Sequence, residues 1–186
     1  MVMGSRGPEV FNLDLSKRNL SQVPSEVAGF TSLVELNLEQ NVLTEIPGEI
    51  SVLKDLSSLN LSHNRLKGVP RGLCGLPNLI QLNLSHNELV TVPLEVECLV
   101  GLIELDLSHN NLAQLAPELG SLESLAVLDL SFNRLTEVPA ELARLENLVR
   151  LDLRGNPLPV SDELLERTNE PREVLRQILP QEVEGR

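Results

Sequence analysis

The chain has 186 residues, 41 of them leucine, with three Phe, no Tyr and no Trp. That is long enough for one domain with a sizeable core, and so much leucine excludes intrinsic disorder. The net charge of −12 excludes a nucleic-acid groove and a surface held on anionic lipid, both of which need clustered Lys and Arg.

Residues 1–9 form a polar N-terminal extension with no apolar signal region, and no later run is long enough to span a bilayer. From Val10 a pattern LxxLxLxxNxLxx(V/I)PxxØxxLxx sets in and returns from Leu33, Leu56, Leu79, Leu102 and Leu125. Asn41, Asn64, Asn87, Asn110, Asn133 and Asn156 recur every 23 residues. Such self-similarity predicts a solenoid of seven units over residues 10–160.

Each part of the unit has its own task. The LxxLxL segment alternates like a strand buried on one face, with Leu59 and Leu61 inward and Asn60 and Ser62 outward. The Asn after it is predicted to bond backbone groups that the turn leaves unpaired. Val-Pro or Ile-Pro pairs such as Val23-Pro24 and Ile46-Pro47 belong on the return path, since proline cannot donate to a ladder. Apolar residues three apart, as in Leu73 and Leu76, suit one 3₁₀ or helical turn on the convex side. The expected fold is therefore α/β: a curved, right-handed solenoid with a concave parallel sheet of about seven strands. Residues 161–186 form the C-terminal cap and tail. Glu170-Pro171-Arg172-Glu173 reads as a helix start, and Val174, Leu175, Ile178 and Leu179 follow at helical spacing, as a cap on the last leucine layer.

These repeats resemble the leucine-rich repeat family over Val10 to Leu179. The 23-residue LxxLPxxI form is similar to the intracellular class of Shoc-type scaffolds, Ras-suppressor proteins and the Scribble and Erbin arrays. The segments Leu13-Asp14-Leu15-Ser16-Lys17-Arg18 and Gly155-Asn156-Pro157-Leu158 share in that likeness. The resemblance implies a protein-binding scaffold whose partner is a small GTPase, a phosphatase or a kinase pathway component. Arg18 departs from the Asn column and Ala116 from the proline column.

No phosphate loop, HExxH or GxSxG occurs, so the chain is read as non-enzymatic and without cofactor; two cysteines and no signal region make it a cytoplasmic adaptor, expected as a monomer. The alternative is a regulatory repeat domain of a larger enzyme, such as a ubiquitin ligase or a GTPase-containing protein. Cys74 and Cys98 fall on the return paths of adjacent repeats and are expected as reduced, unreactive thiols. The candidate binding surface is the outward side of the strands: Glu35, Glu39, His63, His86, Glu104, Asp106, His109, Val127, Asp129, Phe132, Arg134, Arg150, Asp152 and Arg154. The Asp/Asn and Ser columns there are expected to be structural. The three histidines form a straight row, which does not converge on a tetrahedral metal, so no metal is assigned to them.

Overall fold

The computed structural model describes residues 10–179. Seven three-residue strands form one parallel sheet in sequence order: β1 (Asn12–Asp14), β2 (Glu35–Asn37), β3 (Ser58–Asn60), β4 (Gln81–Asn83), β5 (Glu104–Asp106), β6 (Val127–Asp129) and β7 (Arg150–Asp152). Every pairing joins residues 23 apart, as in Leu59 with Leu82 and Leu82 with Leu105, so the sequence period is also the sheet register. After six of the strands' return paths comes a five-residue 3₁₀ turn: Ser25–Gly29, Gly48–Val52, Arg71–Gly75, Leu94–Cys98, Pro117–Ser121 and Ala140–Arg144. Five of the six begin just after a proline held extended, with ψ between 125° and 159°. In the fifth, Ala116 is extended and Pro117 supplies the first position of the turn. The expected solenoid is thus present, with proline on the return path.

One leucine layer per repeat fills the interior. Leu56, Leu59, Leu61 and Leu66 of the third repeat are all buried, and the layers join into a single core from Val23 to Leu175. Burying a leucine fully contributes about 1.5–3 kcal/mol, so these layers dominate the stability.

The asparagines stitch the layers together. Asn110 Oδ1 accepts the Leu89 N–H at 3.0 Å. Its Nδ2 donates to the carbonyls of Leu84 and Leu107, both at 3.0 Å, and of Ser108 at 3.1 Å. Each side chain therefore closes its own turn and reaches back to the preceding repeat. Asn64, Asn87 and Asn133 repeat the pattern. At the start, Arg18 has no ladder side chain to offer, and its N–H donates to Asn41 Oδ1 instead.

The C-terminal segment closes the last layer with two helices. α2 (Pro171–Ile178) starts with Pro171 in its first turn, as expected, and buries Val174 and Leu175. α1 (Asp162–Leu165) is an addition to the expected elements; Ser161 caps it by accepting the Leu164 N–H, and it buries Leu164 and Leu165. Leu151 N–H donates to Thr168 O at 2.8 Å, so the free edge of β7 is bonded to this cap. The N-terminal extension at 1–9 and the tail from residue 180 lie outside the described residues.

Two expectations need correction. Ser62, Ser85, Ser108 and Ser131 are buried rather than outward. The strand's alternation stops at Asn60, whose Oδ1 accepts the Ser62 N–H at 3.0 Å and turns the chain inward. Cys74 and Cys98 are not free thiols: they form a disulfide with Cα atoms 5.3 Å apart. Their separation of 24 residues is one period plus one, which places them side by side on successive 3₁₀ turns.

Candidate functional site

The outward side of the sheet carries three rows of side chains, each generated by the repeat. The central row lies on the strands themselves. Glu35, Glu104 and Arg150 are exposed; Val127, Asp106 and Asp129 are half-buried. A shallow depression of about 350 Å³ runs over β3 to β7 and is lined by Gln81, Glu104, Asp106, Val127, Asp129 and Arg150, among others.

The carboxylates here have structural bonds as well. Asp106 and Asp129 accept the N–H groups of Ser108 and Ser131 at 2.9 Å, as Asn60 and Asn83 do for Ser62 and Ser85. Glu104 accepts from Gln81 Nε2 at 3.1 Å, and half-buried Glu39 lies 3.5 Å from Asn60 Nδ2. Burial pushes the Asp129 carboxyl above its ordinary range, against the bonds from Ser131; the charges of Asp152 and Asp106 push it further the same way.

At β7 the pattern changes sign. Asp152 is 0% exposed and lies beneath Arg154, whose N–H, Nε and Nη2 all reach its carboxylate. Those bonds hold the Arg154 guanidinium above its ordinary pKa. Asp152 is therefore a support for Arg154 and presents no surface of its own. Arg134 is exposed but sits past the ladder asparagine, off the strands.

The second row borders the C-terminal ends of the strands. Lys17, Gln40, His63, His86, His109 and Phe132 each have φ between 52° and 57°, and Gly155 follows at 69°. The left-handed turn aims all these side chains outward in the same direction. The rings consequently stack: centroids lie 4.1 Å apart for His63–His86 and His86–His109, and 4.4 Å for His109–Phe132. Spacing and parallel planes follow the strand repeat, and no four donors converge on a point; among the described residues no metal-holding group forms. The His86 imidazole sits below its ordinary pKa, first through burial between its neighbours, then through the charges of His109 and His63, with Asp106 opposing. Phe132 remains 51% exposed. Its far side meets Gly155, where an added Cβ would stand 2.6 Å from the ring.

The third row was missed by the sequence reading. In LxxL two residues, not one, separate inward leucines, so both face out. The N–H groups of Val34 and Glu35 share Phe11 O, at 2.7 and 2.9 Å, and the same fork recurs at Ile103/Glu104 on Ile80 O. The residue before each strand thus lies outside the core, giving the row Phe11, Val34, Ser57, Ile80, Ile103, Ala126 and Val149. Four of them are large and open to solvent: Phe11 at 55%, Ile80 at 41%, Ile103 at 39% and Val149 at 61%.

Residues 8–66, 32–89, 56–112 and 100–158 match the family described as leucine rich repeat. The chain belongs to the leucine-rich repeat family. Among solved structures, a leucine-rich repeat protein of Leptospira interrogans is similar, with 31% identity and a TM-score of 0.64. That alignment covers 81% of this chain and 50% of the other, so the chain spans half the length of that relative. No curated protein matches the chain. Leucine-rich repeats are in general protein–protein interaction modules. Among the described residues no helix is long and apolar enough to cross a membrane.

Proposed function

We propose that the chain is a non-enzymatic scaffold or adaptor that docks a signalling protein on its concave sheet face. The observation that carries this reading is the ring column ending in Phe132. An aromatic held half-exposed by a left-handed backbone contributes little to the core, and aromatic anchors are what interfaces use. The shallow depression beside it excludes little water, which suits a macromolecular surface better than catalysis. By resemblance to the intracellular class, the partner is a small GTPase, a phosphatase or a kinase pathway component, met in the cytoplasm.

The test is affinity capture of the partner, followed by calorimetry. Phe132→Ala and Arg150→Glu are each expected to weaken binding by more than about 1 kcal/mol with unchanged melting. Glu118→Ala and Arg144→Ala, on the 3₁₀ side, are expected to do nothing. The reverse pattern places the partner on the outside of the arc and sinks the assignment.

One observation favours a second reading of the location. The Cys74–Cys98 bond belongs to the chemistry of oxidising compartments, where disulfides persist. In that reading the same face docks its partner outside the cytosol. Mass measurement of alkylated protein taken from its native cells separates the two: two blocked thiols mean the cytosol, none means an oxidising compartment.

A further inference from the structure

We propose that the occupant of the concave face is a basic segment of another protein, bearing Lys or Arg toward the middle of the sheet and apolar side chains at its borders. This rests on the concave-docking reading above and adds the chemistry of the partner.

The middle of the face is acidic. Over β2 to β6 and the bends up to the ladder asparagines, the outward positions carry Glu35, Glu39, Glu104, Asp106 and Asp129, and no Lys or Arg; exposed Arg65 and Arg134 stand one residue beyond that column. None of these five carboxylates lies within ion-pair distance of a base among the described residues; the nearest pair on the face is Arg154 with Asp152. The bases on the strands and their bends stand at the two ends, Lys17 beyond β1 and Arg150 and Arg154 at β7, while Arg65 and Arg134 flank the face past the asparagine ladder. The charges of Asp106 and Asp152 already oppose ionisation of Asp129, so a cation arriving there relieves repulsion as well as making a pair.

One border is apolar and the other is a ring stack of three imidazoles ending in Phe132. On one side run Ile80, Ile103, Ala126 and Val149; on the other, His63, His86, His109 and Phe132 present the edges of a continuous ring stack. From Ile103 to His109 is six residues, at most roughly 20 Å at about 3.3 Å per residue and less where the chain turns at Ser108 and His109. A trough of that width admits a helix, which is about 10–12 Å across with its side chains, or an extended segment. An acidic floor excludes nucleic acid and anionic lipid, whose phosphates it repels, and a wholly apolar partner would leave the floor's carboxylates desolvated and unpaired.

The test uses displayed random 16-residue peptides selected on the whole chain, then synthesised and titrated by calorimetry. Enriched peptides are expected to combine Lys or Arg with large apolar residues. Their charge-inverted analogues, with Glu for every Lys or Arg, are expected to bind at least tenfold more weakly. The Glu104→Gln/Asp106→Asn double variant and Ile103→Ser are each expected to lose tenfold or more, with thermal melts verifying the fold; Asn at 106 keeps the bond that Asn83 makes to Ser85. Neutral or acidic peptides that still depend on Phe132 or Ile103 overturn the basic partner and leave concave docking standing. Peptides indifferent to every concave change, but lost with Glu118→Ala or Arg144→Ala, overturn both. A selection that enriches nothing over bare beads also counts against the proposed chemistry.

Discussion

At the residue scale, two groups on the sheet face give stability opposite dependences on pH. The raised pKa of Asp129 means the folded chain resists its ionisation. A carboxyl whose folded pKa lies above the unfolded value near 3.8 contributes stability below that value, and loses it as pH rises through the folded pKa. Asp129→Asn keeps the acceptor for Ser131, as Asn60 does for Ser62, and removes the disfavoured charge. The variant is expected to melt higher than wild type at pH 7, with the gap closing as pH falls to about 3.8; a lower melting point at pH 7 refutes it. His86 works the other way. Its folded pKa lies below 6.5, so its contribution is complete above that value and drains away as pH falls toward the folded pKa. Wild type is therefore expected to lose stability relative to His86→Gln between pH 7.5 and 5.5, followed by denaturant melts. A proton NMR titration placing His86 above 6.5 removes the basis for this.

At the element scale the repeat unit holds itself by its asparagine and, in one place, by a disulfide. Asn110→Ala strips four bonds from two turns and is expected to cost about 1–3 kcal/mol. Asn111→Ala, one residue on and half-buried, is expected to be nearly silent; equal damage in denaturant melts shifts the register by one. The Cys74–Cys98 bond closes a loop of one repeat, and Cys74→Ser is expected to cost about 3 kcal/mol. Wild-type melts with and without a dithiol reductant are expected to differ by a similar amount. Coincident melts show that the crosslink contributes nothing. The unit was legible from sequence because a fixed period converts each residue into a column, so strands, ladder, prolines and α2 could all be placed. What escaped needed local geometry rather than period. The serines after Asn60 and its counterparts turn inward because an Asn or Asp oxygen captures their N–H, which simple alternation does not show. Phe11, Ile80, Ile103 and Val149 face outward because LxxL spaces inward leucines by three, a signal that was present and was read only at its second residue. Ser161 followed by Asp162 and Glu163 is an ordinary helix start, and it announced α1. The cysteine separation, one period plus one, held the pairing that free thiols were expected to replace.

At the scale of the whole molecule, the first and last described layers are unlike. The last layer is closed: Leu164, Leu165, Val174 and Leu175 are buried over it, and Thr168 O pairs the edge of β7. The first described layer is more open, with Leu13, Leu15 and Leu20 only half-buried. Since each repeat contacts only its neighbours, stability sums along the array and opening begins where an end layer is weakest. Leu175→Ala removes a buried leucine from the cap and is expected to cost about 2–5 kcal/mol. The cost should also be local. Hydrogen exchange is expected to quicken first at Arg150–Asp152, then at Val127–Asp129, while β3 and β4 keep their protection. Leu107→Ala, at an equally buried leucine in the middle of the array, is expected to cost a similar amount but to loosen β5 together with its neighbours on both sides. Uniform loss of protection across all seven strands in the Leu175→Ala variant would mean that the array opens as one unit, and that the C-terminal segment caps no particular layer.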